Sequence, residues 1–526
     1  MKKNVQRLLP WAVLTLAYLA SVAVYACIGM HNLNADIASE MVLADLLNRE
    51  GALLSANWYY STELRVVSPV PVYQLALRIF PGNWHMARTL SMAVLLAAFA
   101  ASMAYMGRGA GHEKPAVYTA AALMLPLSEV HRFLFSGGGF YTAYVIWACV
   151  LIGMVLRLPR AKYRHISLVQ LAILSLIGGL TGVRMLMICG VPLAMACALE
   201  AWDALRRADS LPGALNTDAA HTLLGACVSL AAMLGGYLVN TKVLSAVYHF
   251  SSYGDMAVGT LELGRLGDQI AYLMGFFGLS EGMPLLSLGG VADMLTVCVF
   301  GVMMLAACVL LGRREKLAAG TRLLTYFAVF AVALGMLINL LTGVVDNRYA
   351  VGYYMMGAYA LAMLAFVLVD VMRCRMAWVR TLAMLSLCGV FLLQGMVFVR
   401  NYMSTKPSEH EEAAQWLAEN GYENGFATFW NGNILTELSS GKLDMYLYGE
   451  WNEGELTPWL QEVTHLEAQP EGNVFVFVSG VEYYGGGVPC ADDAHLVYTS
   501  ERFGSRIYAY DSAAEVIAIQ RAQGMN

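Results

Sequence analysis

Apolar runs long enough to cross about 30 Å of hydrocarbon, at 1.5 Å per residue, recur from the N-terminus to about Val399. They begin near Leu8, His85, Pro115, Gly138, Ile166, Arg184, His221, Gly290, Arg322, Val351 and Thr381. The pattern predicts an α-helical polytopic membrane protein with about eleven transmembrane helices over residues 1–400.

Two connections between these runs are long. Residues 31–84 carry "IASEMVLADLLNR" from Ile37 to Arg49, with apolar positions at helical spacing and Gly51 suited to the stop. "PVYQLALRIF", from Pro71 to Phe80, reads as a second amphipathic helix opened by proline. Both are expected to lie on the lipid surface. The stretch from about Thr241 to Leu288 contains "LGDQIAYLMGFFGLSEGMPLL", too short and broken for a span, and is expected to be re-entrant or interfacial.

After Arg400 the pattern turns polar. "PSEHEEAAQWLAENGYENG" predicts a helix with Ser408 and Glu411 as a capping box and Gly421 as the stop. "FATFW", "DMYLY", "NVFVFVS" and "RIYAY" read as strands. Residues 401–526 are therefore expected to form a small α/β domain. Its "ATFWNGNILTELSSGKLDMYLYGEW" is rich in Trp, Tyr, Asn and Gly; most of these residues suit a core, with Trp430 and Asn431 as candidates for touching a sugar.

Composition agrees with a bilayer as solvent. The 526 residues are 58% apolar and 13% charged, against roughly a quarter charged in soluble chains. The net charge of -5 gives no sign of nucleic-acid binding. Nine of the ten cysteines lie in or beside apolar stretches and show no ligand spacing; only Cys490 falls in the polar tail, which excludes a disulfide within it. No small-residue cleavage site follows the first run, so it reads as a retained helix.

Basic residues gather in alternate loops: Lys2, Lys3 and Arg7; Arg108 and Lys114; Arg157, Arg160, Lys162 and Arg164; Arg206 and Arg207; Arg313, Arg314 and Lys316; Arg373, Arg375 and Arg380. By the positive-inside rule these are cytoplasmic, which places residues 31–84 and the tail outside the cell membrane. The middle third of each span is almost uncharged, unlike the midplane polar path of a transporter. Charge collects instead at the outer edge, at Asp36, Glu40, Arg88, Glu129, His131, Arg132, Arg184, Asp346 and Arg348. A polar rim over an apolar bundle suits a lipid whose head group reacts at the surface.

The run "SPVPVYQLALRIFPGNWHMARTLSM" resembles the end of the first external loop in the protein mannosyltransferase-like branch of the GT-C glycosyltransferases. Pro71, Tyr73 and "ARTLS" (Ala87–Ser91) match that layout, while Val70 departs from the doubled proline. Asp36 stands where that family keeps an acidic residue after the first span, and "NRY" (Asn347–Tyr349) resembles its late external arginine. The likeness covers residues 1–400 in layout and only these short motifs in detail. The tail matches nothing recognisable.

The resemblance implies an enzyme that moves a sugar from a polyprenyl-phosphate donor to a cell-envelope glycan or glycolipid. Asp36 is the candidate base, with Glu40 one turn on. Arg348, Arg184 and Arg88 are candidates for the donor phosphate. Glu129, His131, Arg132 and Tyr349 are candidates for the acceptor or sugar. Plainer roles stand beside these: Asn34 and Asp36 can both cap a helix, 129–132 can be a polar hairpin, and helix-end arginines snorkel. Apart from "ADD" (Ala491–Asp493) no Asp-x-Asp-type pair is present, so chemistry without a metal cofactor is expected. The alternatives are a flippase for lipid-linked sugars and a non-catalytic envelope assembly protein.

Overall fold

The computed structural model describes residues 2–136, 141–207, 217–251, 259–280, 282–343, 347–372, 376–451, 455–485, 488 and 493–522. A helix follows each predicted start. In chain order with two helices of the first connection, they are α1 (Lys2–Ile28), α2 (Ala35–Glu50), α3 (Val70–Ile79), α4 (Trp84–Ala110), α5 (Glu113–Ala122) and α6 (Tyr141–Arg157). Then come α7 (Arg164–Leu180), α8 (Val191–Arg207), α9 (Asp218–Lys242), the short α10 (Leu266–Phe276), α11 (Leu288–Gly312) and α12 (Ala319–Thr342). A six-residue turn, α13 (Asn347–Gly352), leads to α14 (Met355–Val371) and α15 (Ala377–Tyr402).

Eight helices among the described residues are long and apolar enough to cross a membrane. The three other predicted spans are shorter: α7 and α14 have 17 residues each and α5 only ten. Hydropathy measures apolar length, whereas α5 and α14 owe their apolar character to burial inside the bundle; α7 buries only Leu171, Ser175, Gly178 and Gly179 and is simply short. In α14 every residue from Met355 to Val367 is buried, so the helix is apolar all round. Close packing adds to this, because Gly179 of α7 and Gly236 of α9 let two backbones touch where any Cβ would clash.

The tail holds α16 (Glu409–Glu419), α17 (Phe429–Leu438), α18 (Ala513–Ala522) and five strands. These are β1 (Asn424–Thr428), β2 (Asp444–Tyr448), β3 (Val474–Val478), β4 (Leu496–Thr499) and β5 (Arg506–Tyr510), in the order β2-β1-β3-β5-β4. β1 runs parallel to β2 and β3, while β5 is antiparallel to β3 and β4. The full capping box of Ser408 and Glu411 opens α16, and "FATFW" turns from strand into helix at Phe429.

The first connection departs from expectation. Asn34 accepts from the backbone N–H groups of Asp36 and Ile37, and Gly51 (φ 67°) closes α2 in the left-handed region. Yet α2 is not laid on a lipid surface, since eleven of its sixteen residues are buried. One apolar core joins Met41, Leu47, Trp58 and Tyr73 of this connection to Leu435, Leu447, Phe475 and Ile507 of the tail. Periodicity predicted the helix and its apolar positions but not the sheet domain that covers them.

Candidate active site

The first residues of α2 sit at the junction of bundle and tail domain. Because Asn34 takes the cap, the Asp36 side chain is not needed there. Asp36 is 8% exposed and Glu40, one turn on, is fully enclosed. Arg65 pairs with Glu40 at 3.1 Å and donates to Ser61 Oγ at 2.9 Å. Burial raises the Glu40 carboxyl above its ordinary value; Arg65 opposes this, Asp36 adds to it and Arg88 opposes it more weakly. Asp36, Glu40, Arg65 and Arg88 thus share one field.

Arg65 also feels Glu63, Tyr144 and Tyr141, which links that field to a second group. Glu63 accepts from Arg184 Nε at 2.6 Å and from the Tyr144 hydroxyl at 2.5 Å. The Arg184 guanidinium lies over the rings of Tyr141 (4.8 Å) and Tyr353 (5.0 Å). Gly352 makes room for it, since a Cβ there would stand 3.1 Å from Arg184 Nη1 and 3.2 Å from Tyr141. Glu63 of the first connection and an arginine before α8 therefore meet against α6 and the chain just before α14.

Arg88 is held elsewhere. Its guanidinium makes a forked pair with Glu437 of α17, with Nη2 to Oε2 at 2.7 Å, donates to the Ile37 carbonyl at 3.1 Å and reaches the Tyr73 hydroxyl at 3.4 Å. It ties α4, α2, α3 and the tail together, so its charge is engaged by protein groups.

In the 129–132 turn His131 and Arg132 face inward, while the Glu129 side chain is exposed. Glu129 forms a fork with Arg132, and Arg132 also donates to the Asn32 carbonyl at 2.6 Å. His131 is fully buried among Phe135, Phe276 and Tyr359, and its Nδ1 accepts from the Leu127 N–H at 3.3 Å. Tyr349 is 39% exposed. Arg348 lies in α13, but its side chain falls outside the described residues, as do Asp346 and the "ADD" motif up to Asp492. Trp430 is half-exposed, while Asn431 is buried between His410 and Thr428.

Glu63 and Arg65 were not singled out from sequence. They stand in "STELRVVSP", irregular chain without periodicity, and only their place just before the "SPVPVY" motif pointed toward them. No group of three or more His, Cys, Asp or Glu residues suited to a metal ion occurs among the described residues.

No protein-family model and no curated protein matches the sequence. Solved structures do match in shape. ArnT from Cupriavidus metallidurans in the apo state gives a TM-score of 0.61 at 10% identity, over 97% of this chain and 98% of that one. The same protein bound to undecaprenyl phosphate gives 0.56 at 11% identity, over 96% and 98%. The apo oligosaccharyltransferase of Archaeoglobus fulgidus gives 0.50 at 13% identity, over 95% and 74%. The chain is a multi-pass membrane protein, and its fold is that of the GT-C glycosyltransferases.

Proposed function

We propose that the protein transfers a sugar from a polyprenyl-phosphate donor to a hydroxyl of a cell-envelope glycan or glycolipid, on the extracytoplasmic face of the membrane. The observation that carries this reading is the buried network of Asp36, Glu40, Arg65, Glu63 and Arg184, built where the first connection meets the bundle. The shared fold with a protein that binds undecaprenyl phosphate supports the donor class. The basic loops support the assignment of face.

In the reaction the acceptor oxygen forms a bond to the anomeric carbon as the carbon–oxygen bond to the lipid phosphate breaks. The acceptor proton passes to the Asp36 carboxylate, and the phosphate leaves as a polyprenyl phosphate anion. Asp36 is suited to this because it stands in the first turn of α2, where Asn34 and not Asp36 takes the cap. Arg184 is the leading cation for the departing phosphate, and Arg348 is a second candidate on the strength of its sequence motif alone. Glu63 aims Arg184, and the two tyrosine rings restrict it to one plane. Arg88 acts in this scheme as the clamp that fixes α2 rather than as a phosphate ligand. The sugar is a hexose or a pentose, and residues 31–84 and 401–526 together form the extracytoplasmic cap. Purified protein supplied with radiolabelled polyprenyl-phosphate sugars and envelope acceptors tests this, because a flippase or assembly protein forms no glycosidic product.

A further inference from the structure

The opposite end of the bundle carries a second charged feature. A cavity of about 430 Å³ opens where α4 and α6 end and α7 begins. Arg108, Arg157 and Arg160 line it with Tyr105, Ser167 and Gln170, and its lining holds no acidic residue. The Arg157 guanidinium stacks on Tyr105 at 3.6 Å. Arg108 has an exposed partner in Glu113 at 2.7 Å, while no side chain among the described residues engages the exposed Arg160.

Arg108 also closes a groove of about 360 Å³ on the other side of α4. Trp11, Leu14 and Tyr18 of α1 form one wall, and Ala97, Ala101 and Ala104 form the other. The small alanines leave an apolar groove that runs along two spans and ends at a cation. Ile166, Val169 and Ile173 of α7 are exposed beside the arginine cavity, as lipid-facing residues are.

We infer that this arginine cavity and the groove beside it hold one anionic glycerophospholipid, with its phosphate between Arg108, Arg157 and Arg160 and an acyl chain along α1 and α4. Charge complementarity selects the occupant: three guanidinium groups with hydroxyl and amide donors fit phosphate oxygens, and apolar walls exclude a soluble anion's hydration shell. A zwitterionic lipid carries an ammonium group that the same cations repel. The site lies apart from the Asp36 network and does not depend on the proposed transfer reaction.

The test uses the full chain purified in neutral detergent, titrated with phosphatidylglycerol or phosphatidylcholine and read by native mass spectrometry and thermal unfolding. One phosphatidylglycerol per chain is expected to bind and stabilise, at least tenfold tighter than phosphatidylcholine. Arg108→Gln with Arg160→Gln should weaken that binding by about twenty-five-fold, at roughly fivefold per cation. Both residues are exposed, so the variant keeps its fold, and Arg160→Lys should retain most of the affinity. Arg313→Gln with Arg314→Gln removes equal charge from a different exposed loop and should change affinity less than twofold. Equal binding of the two lipids, or an equal loss in both double variants, overturns the inference.

Discussion

The Arg88–Glu437 pair is a buried link between bundle and tail, and its removal has a calculable effect. The two side chains are 6% and 0% exposed and meet as a fork. Glu437→Ala leaves the Arg88 cation enclosed, with hydrogen bonds to the Ile37 carbonyl and the Tyr73 hydroxyl and only the weaker field of Glu40 to oppose its charge. Breaking a buried pair from one side costs about 3–5 kcal/mol, whereas an exposed pair is worth about 0–1 kcal/mol. Asp45→Ala supplies the internal reference, because its i,i+4 partner Arg49 is 55% exposed. Denaturant unfolding of purified protein, followed by tryptophan fluorescence of the tail, should show Glu437→Ala far less stable than Asp45→Ala. Arg88→Leu combined with Glu437→Leu removes the stranded charge and should recover most of the loss. The reasoning fails if Glu437→Ala and Asp45→Ala unfold alike, or if the double variant is no better than the single one.

Three further outcomes follow from the same network. Glu63→Gln frees Arg184 from its 2.6 Å anchor and should lower sugar transfer at least tenfold with a raised donor KM, while Tyr144→Phe, which loses one hydroxyl, costs about 0.5–1.5 kcal/mol in stability. For Glu40, whose folded-state carboxyl is raised by burial, the stabilising contribution is full below about pH 4.5 and is lost as pH rises through the raised value. Unfolding measured from pH 4 to 8 should show this falling trend in the wild type and a flatter profile in Glu40→Gln; identical slopes would refute it.

Legibility divided along the range of the interactions. The capping box of α16 and the Asn34 cap of α2 were readable because each is written within four residues. Helix positions were readable from apolar runs, but α5 and α14 show that an apolar run records burial as well as span length. β4 escaped notice because four residues with alternating burial at a sheet edge carry little β signal. The placement of Asp36 and Arg184 at one rim was visible, while the bridging Glu63 and Arg65 lay in chain with no period. The commitment of Arg88 was invisible, since Glu437 is 349 residues away and nothing local marks the pair.

The central claim is that Asp36 takes a proton in a glycosyl transfer. Asp36→Asn keeps the size of the side chain and, with Asn34 still capping, the start of α2. Transfer of labelled sugar from a polyprenyl-phosphate donor, measured on purified wild type and Asp36→Asn of equal stability, tests it directly. The account predicts product from the wild type and a loss of about 10²–10⁴-fold in kcat for the variant. Equal turnover by the two proteins would contradict it.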